Sequence, residues 1–302
     1  ALGASFADDC SVVAGLRLGT RVWWFWEVRG HLGEGRRWLE ALLARGGHVP
    51  PDVRAEALHG AGVLARHQGD YDAAARLHEQ GSVLWREIGD EAGVAGSLNC
   101  LGVVALFRGD LARARALLEE GLAGARKLGS PSPIAYALNN LGMVARQQGE
   151  PDRAVACYEE SLVVMQALGN TRNVAIASLN LGNAHRDQGG SEQAAARYRE
   201  SLSLYRDLQD RQGVASSLQG MASVAAADGE AARAATLCGA ADALRTALGV
   251  QLPAASRAKF DEALAVARAA LGEDEFTAAW AAGQALSLEE AVAEALSDVT
   301  SA

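Results

Sequence analysis

The chain has 302 residues, of which 49% are hydrophobic and 22% charged, with a formal net charge of −9. That apolar share suffices for a core and gives no sign of disorder, and the acidic balance argues against direct binding of nucleic acid or an anionic membrane. The four cysteines, Cys10, Cys100, Cys157 and Cys238, are scattered without a CxxC pair and fit a reduced, cytoplasmic setting.

From the N-terminus, residues 1–29 read as one long helix that is densest at Val22-Trp23-Trp24-Phe25-Trp26. Successive helical residues turn by about 100°, so four adjacent aromatics cannot share one face. A buried N-terminal core is the plainer expectation; the sharper one is that Trp24 or Phe25 docks against an upstream domain. Arg17, Arg21 and Arg29 interrupt the apolar run well short of the roughly 18 residues a membrane helix needs. There is no signal-peptide pattern, and the start at Ala1 suggests a piece of something longer. Gly30-His31-Leu32 turns into a second helix, Gly33 to Arg45, and residues 1–52 together form a degenerate helical hairpin. Gly46 to Pro51 is a linker, and Asp52 is the expected N-cap of the helix that follows.

Residues 53–250 hold five repeats. Turn glycines stand at Gly69, Gly109, Gly149, Gly189 and Gly229, always 40 apart (109 − 69 = 40). Within one copy, Leu138, Leu141 and Ala145 form a stripe, and Ala154, Tyr158, Leu162 and Met165 form another. Gly149-Glu150-Pro151 separates the two helices: glycine ends the first and proline opens the second. A column of mid-helix glycines, Gly62, Gly102, Gly142 and Gly182, closes with Ala222. Each such glycine costs about 1 kcal/mol against alanine, so close helix contact is the expected reason. Small columns accompany it at Ala55, Ala95, Ala135, Ala175 and Ala215, and at Ala74, Ala114, Ala154, Ala194 and Ala234.

Residues 251–302 read as three capping helices: Pro253 to Leu271, a short one carrying Phe276 and Trp280, and a last one opened by the capping box Ser287-Leu288-Glu289-Glu290. The fold class expected is all-α, an α-α superhelix closed by a C-terminal helical cap.

The leucine-glycine step, the small residue three on, the Gly-Asp/Glu turn and the alanine five past the turn glycine resemble the tetratricopeptide repeat (TPR) signature over roughly residues 53–250. The stride of 40 departs from the commonest period of about 34. The aromatic of the second helix is uneven too: Tyr158 and Tyr198 fit, while His78, Leu118 and Cys238 fill the same column. A narrower resemblance covers both ends. Trp26, Gly30-His31-Leu32 and Glu34 to Glu40, with Cys238 to Arg245, Ala279-Trp280, Gly283 and Leu286 to Ala291, look like the flanks of the TPR region in bacterial signal-transduction ATPases with numerous domains, the STAND regulators. That resemblance implies a sensor that restrains an upstream nucleotide-binding domain, often coupled to transcription regulation. No GxxxxGK[ST] occurs, and Lys127 and Lys259 are the only lysines, so the ATPase chemistry is expected outside these residues.

No catalytic, cofactor or metal constellation stands out. His59 and His67 are eight apart with no Cys or His three or four residues from either, and packing or surface roles are expected for them. Cys100 and Cys157 read as small buried hydrophobes. Repeated pairs such as Glu119-Glu120 form a solvated face, where nothing separates two pKa values for acid–base work. In TPR folds the first helix of each hairpin lines the concave groove. Counting from the glycine column places Tyr136, then Asn99, Asn139 and Gln219, then Met143 and Asn183, then Arg66, Arg146 and Arg186, with Phe107, on that wall. Amides pair with extended backbone, and arginine grips carboxylate in a fork. A protein, peptide or small inducer is therefore the expected ligand of a non-catalytic module; the alternative is a free-standing TPR scaffold.

Overall fold

In the computed structural model, residues 9–28, 30–45, 48–250 and 254–297 are described, and among them every element is a helix. Readings that fall on residues 1–8, on Arg29, on Gly46-Gly47 and on Pro253 lie outside the described residues. The helices group into two compact units, Ala1–Gln148 and Gly149–Ala302.

The first unit holds α1 (Asp9–Val28), α2 (Leu32–Ala44), α3 (Pro51–His67), α4 (Tyr71–Glu87), α5 (Glu91–Phe107), α6 (Leu111–Lys127) and α7 (Pro131–Gln147). Helices α3 to α7 all have 17 residues and three-residue links. Two such helices and two links make the 40-residue stride. In each link the middle residue is left-handed, as at Gly69 (φ 79°), Gly89 (φ 73°) and Gly109 (φ 79°). A side chain there would meet its own backbone, which is why glycine punctuates the sequence. At three of the links the third residue caps the next helix with its side chain: Asp70, Asp90 and Asp110 accept the backbone N–H of Ala73, Gly93 and Arg113 at 3.0, 2.9 and 3.1 Å. Asp52 is a correction, because α3 starts at Pro51 with Pro50 as its N-cap, and Asp52 sits in the first turn. Proline's fixed φ and missing N–H suit that first position.

The helix pairs interlock through the glycine column. A Cβ on Gly62 would lie 2.7 Å from the His78 ring, and one on Gly102 would lie 2.6 Å from the Leu118 side chain. Each second helix thus pushes one bulky knob onto the bare backbone of the first. At the start of the unit, α1 and α2 pack on α3, burying Leu16, Leu39, Leu42 and Leu43 with Val53, Leu58 and Leu64. Each such side chain removed from water contributes about 1.5–3 kcal/mol. The aromatic run divides as helical geometry requires: Trp26 is buried against Gly35, and Trp23 lies half-buried against Gly60, while Trp24 and Phe25 are 56% and 44% exposed.

The second unit holds α8 (Pro151–Ala167), α9 (Thr171–Asp187), α10 (Ser191–Asp207), α11 (Arg211–Ala227), α12 (Ala231–Leu248), α13 (Ala254–Leu271), α14 (Glu273–Ala285) and α15 (Leu288–Leu296). Its knob is Tyr198, whose ring would be 2.7 Å from a Cβ on Gly182. In the last repeat both columns change together, Ala222 replacing glycine and the smaller Cys238 replacing tyrosine, and both lie in one buried cluster. One link breaks the glycine rule, since Gln209 takes φ 54°. Helices α13, α14 and α15 cover α12, and Gly239 and Gly283 let the backbones of α12 and α14 touch. The Ser287–Glu290 capping box is present in full.

Candidate functional site

Within the first unit, α3, α5 and α7 lie side by side, so their outward columns form one continuous face. Arg66, Asn99, Phe107, Tyr136, Asn139, Met143 and Arg146 all stand on these helices, and none is buried. Phe107 and Tyr136 are 45% and 39% exposed, so two rings stand at the surface of this face. Phe107 stacks on Tyr71 with centroids 5.8 Å apart, and the Arg66 guanidinium lies 6.0 Å above its ring. The Arg66 Nη2 is also 2.7 Å from His67 Nε2. Asn99 Oδ1 accepts a hydrogen bond from Asn140 Nδ2 at 3.0 Å, linking α5 to α7. The face therefore offers flat aromatic surface, a thioether and guanidinium groups around a line of amides. Such a set suits an extended chain with an acidic or carboxylate group.

Within the second unit the predicted residues Asn183, Arg186 and Gln219 occupy the equivalent columns of α9 and α11, half-buried. They are already engaged. Asn183 Oδ1 accepts from the Tyr198 hydroxyl at 3.0 Å, and Gln219 Oε1 accepts from Arg245 Nη1 at 3.1 Å. Arg186 pairs with Asp187 at 3.0 Å, lining a cavity of about 290 Å³ with Ser223, Lys259 and Glu262. Arg245, missed as a functional or structural centre in the sequence, is 6% exposed and lies 4.9 Å over the Phe260 ring, joining α11, α12 and α13. Burial pulls its pKa down, the charge of Asp242 opposing.

Three residues expected to have packing or surface roles do converge. His59 of α3, His78 of α4 and Cys100 of α5 place their nitrogen and sulfur atoms within 4.8 Å of one another. Spacing along one helix could not reveal a cluster built from three. The legible signal was register: Cys100 stands one stride plus one residue after His59, and His78 occupies a knob column otherwise filled by Leu, Tyr or Cys. No described helix is long and apolar enough to cross a membrane.

Residues 53–127 and 133–207 match the family model of the tetratricopeptide repeat. Among solved structures, BtubC (BKLC) from P. vanneervenii matches with a TM-score of 0.56 and 20% identity, covering 80% of this chain and 94% of that one. The Rap conjugation gene regulator of the plasmid pLS20, in complex with the Phr* peptide, matches with a TM-score of 0.63 and 14% identity over 90% of this chain and 81% of that one. NprR in complex with its cognate peptide NprX gives 0.62 and 18%, covering 93% and 80%. Search of curated proteins found no match.

Proposed function

The chain carries tetratricopeptide repeats, and from that premise we propose that it is a non-catalytic sensor module that binds an extended peptide on the α3, α5 and α7 face. The observation that carries the reading is the exposed pair Phe107 and Tyr136 on a face that also bears Arg66, Asn99, Asn139, Met143 and Arg146. The ligand class follows from those groups. Rings and Met143 take apolar side chains, the amides meet backbone, and Arg66 with Arg146 meets carboxylate. Two solved TPR structures of similar fold hold peptides, which supports the class of ligand. Within the second unit, taken by itself, Asn183, Arg186 and Gln219 are proposed as ligand-facing residues too, where a ligand would have to displace internal hydrogen bonds.

The finer reading places this module downstream of a nucleotide-binding domain in a cytoplasmic STAND-type regulator. Its support is the flanking residues Trp26, Glu34 to Glu40, Cys238 to Arg245 and Gly283, several of which pack the ends of the repeat array. A GxxxxGK[ST] motif upstream in the parent reading frame upholds it, and a frame without one leaves a free-standing scaffold. The binding test is selection from a random peptide library on the purified chain, followed by titration against Asn139→Ala and Arg146→Ala. Each substitution is expected to weaken the selected peptide by about 10-fold, the value of one lost hydrogen bond to a charged group. Unchanged affinity in both discards the face.

A further inference from the structure

We propose that His59, His78 and Cys100, on α3, α4 and α5, form a binding site for a borderline-soft d¹⁰ cation, Zn²⁺. His78 is 1% exposed, and neither ring nitrogen has a hydrogen-bond partner. A buried imidazole left without partners is costly, roughly 1–3 kcal/mol for each such group. Two other knobs avoid that cost: Leu118 has no polar atom, and the Tyr198 hydroxyl bonds Asn183. What lies beside His78 explains its presence. The rings of His59 and His78 have centroids 5.6 Å apart, and Cys100 Sγ is 3.8 Å from His59 Nδ1.

Two imidazole nitrogens and one sulfur suit zinc, with the fourth tetrahedral position left to water. Zinc–nitrogen and zinc–sulfur bonds of about 2.0 and 2.3 Å set ligand atoms roughly 3.3–3.8 Å apart, so closure from within 4.8 Å takes about 1 Å of side-chain movement. On binding, the Cys100 thiol gives its proton to solvent and the thiolate coordinates, leaving one net positive charge. Arg66 is the cation whose field reaches both His78 and Cys100, and it has His67 Nε2 and the Phe107 ring as neighbours. A cavity of about 320 Å³, lined by Trp23, Glu56, His59 and Ser97, opens beside His59 and gives an ion its way in. The Trp23 ring lies edge-on to His59 with centroids 5.7 Å apart.

The test is competition between the whole chain and a chromophoric zinc indicator, repeated with Co²⁺ for its absorption spectrum. His78→Leu copies the knob of the neighbouring repeat and should fold, which circular dichroism verifies; Cys100→Ser and the control Cys157→Ser complete the set. The wild type and Cys157→Ser are expected to bind one ion per chain, with a thiolate-to-cobalt charge-transfer band. His78→Leu and Cys100→Ser should each lose more than about 100-fold in affinity, above what loss of an outer-shell partner costs. Equal zinc affinity in the wild type and a folded His78→Leu, or a cobalt spectrum without the thiolate band, overturns the site.

Discussion

One packing device, used in both units, gives His78 of the first and Tyr198 of the second opposite outcomes for polarity. In the second, the knob Tyr198 is 0% exposed yet its hydroxyl is satisfied by Asn183, so a polar group is absorbed into packing. In the first, the knob His78 is equally buried and its nitrogens bond to nothing. The same column therefore separates a residue that serves the fold from one that the fold tolerates for another reason. The first-helix faces differ in parallel. Asn183, Arg186 and Gln219 of the second unit are half-buried, while Phe107 and Tyr136 of the first are exposed.

The hardest test of that contrast is Tyr198→Ala against His78→Leu. Removing the Tyr198 ring leaves a cavity under Gly182 and should lower the unfolding free energy by about 3–5 kcal/mol in urea denaturation. His78→Leu, at the same column, should hold or raise it. If the two substitutions destabilise alike, the distinction between the columns fails.

A second test uses pH, with a chelator present. Burial, followed by the charges of His59 and Arg66, lowers the His78 imidazole to about 3. The unfolded imidazole titrates near about 6.5, so between these values the unfolded chain holds a proton that the folded one lacks. Stability from this group is complete above about pH 6.5 and declines as pH falls toward 3, by up to about 1.4 kcal/mol per pH unit. Measured between about pH 7 and pH 5, the wild type should show this extra slope relative to His78→Leu; parallel curves contradict the burial of a neutral imidazole.

The smallest expected effect sharpens the account of the links. Gln209 alone among the middle link residues carries a side chain at positive φ (54°). Relief of that conformation in Gln209→Gly, less the added freedom of the unfolded chain, should raise stability by about 1 kcal/mol or less. A lower Tm in the glycine variant would show the link to be held by the Gln209 side chain.

Much of the fold was legible because the stride is constant. Glycines at φ > 0 in the links, aspartates at several N-caps and the two alanine columns are local requirements that recur with the repeat. The class, all helices in tandem pairs, followed from them. The Asp52 cap was misread because Pro50-Pro51 fixes the chain direction before an acidic cap is needed. The candidate peptide face was legible as columns, but not which amides are already occupied: Gln219 is claimed by Arg245, 26 residues on, and Asn183 by Tyr198. Those claims depend on side-chain reach between helices, which periodicity does not encode. The His59–His78–Cys100 cluster escaped for the same reason, each residue coming from a different helix.

Hydrogen–deuterium exchange of the whole chain, with and without a library-selected peptide, tests the central claim most directly. The account predicts slowed exchange in α3, α5 and α7, centred on residues 99–107 and 136–146, with α4 and α6 unchanged. Protection confined to α4 and α6, or to the second unit, would contradict it.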